Sequence, residues 1–223
     1  MSFLAPAMAK GGRTNRQRSI RTTHAQHPLL KGVDRIYATW QRADDSTLQE
    51  GMDWYQDAHD IGVSFAEESG IEPIQAIGII AALSPNTAWF DNIRIARRVC
   101  GGDMSGHMGN PLSKCEAILN GADPLDVLGG RKVRSFYTNM LLPTRPGHVT
   151  VDRHMIDLIT GERGTINQKL LDRPGVYQRT AGMFRAAARR EAVLPHQMQA
   201  VVWCQHRKDH DVAIRKYDKE MAA

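Results

Sequence analysis

Residues 46–83 read STLQEGMDWYQDAHDIGVSFAEESGIEPIQAIGIIAAL, and this stretch decides the fold class. Leu48, Met52, Tyr55, Val63 and Ala66 recur at the three-to-four-residue step that places apolar side chains on one helical face. Ser46 and Thr47 offer N-caps, and Thr47-x-x-Glu50 has the form of a capping box. Gly70 stops the pattern, and Pro73 suits the first turn of a second helix. That second helix is apolar on nearly every side through Leu83, which predicts a central position. Its apolar run, Ala76 to Leu83, fits a buried core helix and is too short to cross a bilayer.

The rest of the chain keeps the helical period. Upstream, Val33 to Arg42 is a short helical pattern with Ile36, Tyr37 and Trp40 on one side. Downstream, patterns run from about Pro85 to Val99, Leu112 to Leu119, Arg131 to Leu142, Asp152 to Thr160, Gly175 to Glu191 and Pro195 to Lys208. Ser84-Pro85, Gly101-Gly102, Gly121 to Pro124, Pro143, Pro146 and Gly161 punctuate them, Val149 to Val151 reads as briefly extended, and residues 162–174 form a polar connection. Convincing β-alternation and fixed-period repeats are both missing from the sequence. The expected fold is all-α, an orthogonal multi-helix arrangement, with one helical domain over 33–223 behind a basic arm over 1–32.

Composition narrows the class. The chain has 223 residues, 42% hydrophobic and 24% charged, which is ordinary globular usage and argues against wholesale disorder. The N-terminus is not ordered like a secretory signal, and no apolar run is long enough for a membrane span, so no membrane partner is expected. Three widely spaced cysteines, Cys100, Cys115 and Cys204, argue against a disulfide framework, a zinc site and an iron–sulfur cluster alike; a reducing cytoplasm is the expected home. The net charge is +5, with Lys10, Arg13, Arg16, Arg18, Arg21 and Lys31 in the first 33 residues and no acid among them. Such an arm suits a polyanion through counterion release; the plain alternative is a solubilising tail.

Two segments carry chemistry. In Val127-Leu128-Gly129-Gly130-Arg131-Lys132-Val133 a glycine pair precedes a helix, letting backbone approach a ligand and exposing N–H groups that favour phosphate. Lys132 falls in the first turn, where the helix dipole disfavours its charged form, the condition for a lysine nucleophile. In Thr150-Val151-Asp152-Arg153-His154-Met155, Asp152 heads a helix; its carboxylate, kept ionised by backbone N–H groups, would stabilise a developing cation. A plain tight turn with a solvated lysine, and a plain N-cap aspartate, are the ordinary readings of the same residues. Among the nine histidines no ligand spacing of H-E-x-x-H type occurs, so no metal is expected; His206 and His210, one turn apart, read as solvent-facing. Gln197 and Gln199 read as surface or packing residues that could also line a base pocket, and Glu67-Glu68 as a solvated helix end.

Together the segments gain meaning. Gly-Gly-Arg-Lys, a helix, and then Val-Asp-Arg-His with Asp152 twenty residues after Lys132 resembles the helix-hairpin-helix DNA glycosylase superfamily. Ala82-Leu83-Ser84-Pro85-Asn86-Thr87-Ala88-Trp89 looks like that family's leucine–serine turn, with Asn92 and Ala96 continuing the pattern; the likeness spans residues 74–159. Leu128 stands where the family hairpin usually has its first glycine, and the C-terminal cysteine quartet of some relatives is missing, so no cluster or other cofactor is implied. The resemblance implies Asp152 and Lys132 as catalytic residues. It implies Asn86, Gly129, Gly130, Arg131, Arg134 and Arg153 on DNA, and Trp89, Tyr137 and His154 around an extruded base. It further implies a monomer in a bacterial or phage-infected cell.

The segment Gly130 to Asp152, with Phe136, Tyr137 and Asn139 between, is also similar to glycosylase-fold proteins that phages encode for hypermodified thymine, the α-glutamyl/putrescinyl-thymine pyrophosphorylase group. The expected function is therefore cleavage of an N-glycosidic bond to a flipped, modified or unmodified base. The alternatives are displacement of pyrophosphate from an activated 5-methylene pyrimidine by an amine or amino acid, and DNA binding without catalysis.

Overall fold

A computed structural model describes residues 28–106, 109–161 and 169–210, and among these it is all-α. The helices are α1 (Pro28–Trp40), α2 (Asp45–Ser69), α3 (Pro73–Leu83), α4 (Trp89–Cys100) and α5 (Asn110–Leu119). Then come α6 (Pro124–Val127), α7 (Arg131–Leu141), α8 (Arg153–Thr160), α9 (Val176–Glu191) and α10 (Pro195–Asp209). Because α1 starts at Pro28, residues 28–32 are helical and do not belong to the arm; the arm's residues 1–27 lie outside the described residues, as do 162–168 of the polar connection.

Local chemistry moves some boundaries. The N-cap of α2 is Asp44, whose carboxylate accepts from the Thr47 backbone N–H at 2.9 Å; Ser46 and Thr47 lie inside the helix. A carboxylate also answers the helix dipole, which a hydroxyl cannot. Helix α4 begins four residues later than the pattern from Pro85 suggests. Asn86 takes a left-handed backbone (φ 59°), and Ser84 Oγ donates back to the Ala81 carbonyl, so the chain turns before it coils again. A one-turn helix, α6, occupies what reads in sequence as the end of a turn.

Two apolar cores form within the helical region. The middle core gathers around α3, whose Ile77, Ile79, Ile80 and Leu83 are fully buried against α4, α5 and α7. Each such side chain contributes about 1.5–3 kcal/mol by leaving water. The other core joins distant parts of the chain: Ile36 of α1, Val149 and Val151, Ile156 of α8, Phe184 of α9 and Val202 of α10. Helices α2 and α10 pack along each other at the seam between them. Gly51 permits that contact, since a Cβ there would lie 2.3 Å from the Val201 Cα. All three cysteines are buried and free, and burial pushes the Cys100 and Cys115 thiols up to about 12.

Candidate active site

The glycine turn is built from the core outward. Leu128 is buried in the middle core, which accounts for a leucine in a position where a glycine would leave a hole. Gly130, the N-cap of α7, has φ 74° and ψ 148°, a backbone that side-chain-bearing residues avoid. No side chain caps α7, and Arg131, Lys132 and Arg134 are exposed around its first turn. Lys114 of α5 adds a cation, its Nζ 3.7 Å from the place a Cβ on Gly129 would occupy. Its distance of fifteen residues from Gly129 hid it in the sequence. Helix-start amides with exposed cations nearby are the kind of setting that favours anions.

Asp152 is the N-cap of α8, as its position in the sequence suggests: its Oδ1 accepts from the Met155 N–H at 3.1 Å, and the side chain is half-buried. A residue that sequence reasoning missed joins it to the glycine turn. The Tyr177 hydroxyl, from α9, donates to the Val149 carbonyl (2.8 Å) and accepts from the Val151 N–H (3.3 Å). It also lies 3.1 Å from Ser135 Oγ and 3.3 Å from the Arg131 carbonyl, both on α7. Burial, with the Asp152 charge adding to it, raises the Tyr177 pKa and keeps the phenol a donor.

Beneath Asp152 runs a second polar layer. The fully buried Tyr55 hydroxyl bridges Thr150 Oγ1 (2.9 Å) and Gln199 Oε1 (2.8 Å), and Asn139 Nδ2 donates to the same Thr150 oxygen (3.2 Å). Burial above all raises the Tyr55 pKa, with smaller contributions from Tyr177 and then Asp152. In sequence Tyr55 reads as one more apolar-face residue; only its partners, 95 and 144 residues away, reveal a network.

The half-buried aromatics line up beside this layer. Trp54 packs at a tilt 5.4 Å from Trp89 and 5.1 Å from Trp203, Phe136 meets Trp89 edge-on at 6.2 Å, and Arg207 lies 4.4 Å over the Trp203 ring. Tyr137, expected around the base, is instead 1% exposed within the middle core, because it sits on the inward face of α7; Phe136 is the α7 residue beside Trp89. His154 does not join Trp89 either. Its ring turns toward α10, 6.2 Å from that of His206. His206 itself is buried, not solvent-facing, since α10 is covered on most of its sides. Arg153 is exposed on the first residue of α8, and Asn86 is exposed at the left-handed tip between α3 and α4. Asn92 donates to the Ile80 carbonyl at 3.1 Å and serves packing.

The profile of a family of unknown function, DUF7178, matches residues 19–210. The chain belongs to that family. No curated protein and no solved structure matches it. The DUF7178 span holds every residue of the site, from Tyr55 through Asp152 to Arg207, and ends at His210, the C-cap of α10. Among the described residues of this DUF7178 chain, no helix is long and apolar enough to cross a membrane.

Proposed function

We propose that this DUF7178 protein acts on a base of DNA, in the manner of a helix-hairpin-helix glycosylase. Its backbone amides at Gly129-Gly130, with Arg131, Arg134 and Lys114, hold phosphate. The target nucleotide swings out of the stack toward the Trp89–Phe136 aromatics, with Asn86 entering the duplex beside it. The Asp152 carboxylate then faces the sugar as the C1′–N bond breaks and positive charge grows on the ring. Water at C1′ completes hydrolysis; attack by Lys132 instead gives a Schiff base.

One observation supports this reading: the Tyr177 hydroxyl lies 3.3 Å from both the Arg131 carbonyl and the Val151 N, so the start of α7 and the chain leading into the Asp152 cap of α8 are neighbours.

The test is Asp152→Asn. Asparagine caps a helix nearly as well as aspartate, so folding by circular dichroism and DNA binding should persist. Turnover on DNAs carrying different modified bases, read by mass, should fall by at least about 10²–10³ for want of the full charge. Undiminished turnover would overturn the assignment. A wild-type product that keeps the sugar–base bond would move the site to the transferase chemistry, and borohydride trapping lost in Lys132→Ala would mark the lysine as nucleophile.

A further inference from the structure

We propose that His154, Asp157 and His206 form a binding site for a divalent first-row transition metal, zinc(II) being the probe, that clamps α8 to α10. His154 and Asp157 stand one turn apart on α8, and His206 faces them from α10. One donor atom from each lies within 4.8 Å of the other two. Asp157 and His206 are each about 5% exposed.

The spacing favours an ion over a direct contact between the α8 pair. His154 Nδ1 is buried with no hydrogen-bond partner and stands 4.0 Å from Asp157 Oδ2, beyond hydrogen-bond length. Ligands around zinc lie about 2.0–2.1 Å from the metal and hence about 3.3 Å from one another, so side-chain rotation of roughly an ångström closes the set. Two imidazoles and one carboxylate suit zinc, iron(II) or cobalt(II) and disfavour magnesium and calcium, which take oxygen ligands. Three protein ligands leave a coordination position to water.

No histidine-pair spacing along the chain announces such a site, because the two imidazoles are 52 residues apart in sequence and meet only when α8 docks on α10. The ion would fix the helix that presents Asp152 at its start. Its binding is independent of the base chemistry proposed above, and it can be measured without DNA.

The untagged full chain, stripped with chelator, should take up about one zinc ion in calorimetric titration, with a dissociation constant of about 1 µM or tighter. Saturating zinc should raise the melting temperature by roughly 5–10 °C. His154→Ala, Asp157→Asn and His206→Ala should each weaken uptake at least roughly 10-fold, while His59→Ala, away from the trio, should leave it unchanged. Should a variant fail to fold, the wild type still decides. Cobalt(II) must then show visible d–d absorption, and zinc must shift the ring ¹⁵N resonances of His154 and His206. No stoichiometric uptake by the wild type, uptake that survives all three substitutions, or loss of uptake in His59→Ala would each overturn the site.

Discussion

Helix α3 starts from Gly70-Ile71-Glu72-Pro73-Ile74-Gln75, and α10 starts from Ala192-Val193-Leu194-Pro195-His196-Gln197. Gly70 and Ala192 are both left-handed caps of the preceding helix, at φ 66° and 54°. In both, the cap N–H and the next one return to a single carbonyl, Ala66 or Ala188. Proline then opens the new helix, and the glutamine Oε1 accepts from the N-cap N–H at 3.0 Å in each. From one starting geometry the two helices diverge. Eight consecutive buried residues of α3, Ala76 to Leu83, are apolar, whereas α10 buries His196, Gln199, Gln205 and His206 among its apolar residues. The first makes a dry core by burial alone. The second spends buried positions on hydrogen bonds and charge, and it is the one that reaches the Asp152 network through Gln199 and the proposed metal trio through His206.

Breaking the dry helix should cost most. Leu83→Ala leaves a cavity in the middle core and should lower unfolding free energy by about 2–5 kcal/mol in urea titration. A loss under 1 kcal/mol would mean that the α3 core collapses around the gap and is not tightly packed.

The polar layer should respond less, and differently. Tyr55→Phe keeps the ring but strands Gln199 Oε1 in the interior, for a cost of about 1–3 kcal/mol. Recovery of stability in Tyr55→Phe combined with Gln199→Leu would show that the unsatisfied oxygen, not lost packing, set the loss. A double variant as weak as the sum of the two single changes would reject the network.

Acidification separates the two helices next. Burial lowers the His196 pKa below its ordinary 6.5, and its ring Nε2–H donates to the Pro143 carbonyl at 2.8 Å. The unfolded chain therefore binds this proton more readily than the folded one. Stability from neutral His196 is complete above pH 6.5 and drains away as pH falls toward the lower folded value, by up to about 1.4 kcal/mol per pH unit. His196→Gln should flatten the melting temperature between pH 7.5 and 5.5 relative to wild type; an unchanged slope would assign the acid response to other groups.

The smallest effect tests the shared turn. Ala192→Gly relieves a left-handed alanine and should stabilise by about 0.5–1 kcal/mol, while Gly70→Ala should destabilise by a similar amount. Equal signs for the two changes would break the parallel between the turns.

The helices themselves were readable in the chain because their causes are local. The period of Leu48, Met52 and Tyr55, the prolines at the starts of α3 and α10, and Asp152 before α8 act on neighbours within a turn or two. The all-α class, the central place of α3 and the Asp152 cap follow from such signals. Where two local signals competed, as with Asp44 against Thr47 or Asn86 after Ser84, only the folded backbone chose between them.

What no local signal could carry was company. Tyr177 reaches Arg131 across 46 residues, Tyr55 reaches Gln199 across 144, and His154 meets His206 only where α8 crosses α10. A tyrosine or histidine on an apolar face has one sequence signature whether it packs, bonds or binds. Its role is set by which donors and acceptors tertiary packing brings within about 3 Å once water is excluded. The sequence by itself determined the helices and named Asp152; tertiary structure decided which buried polar residues stand behind it.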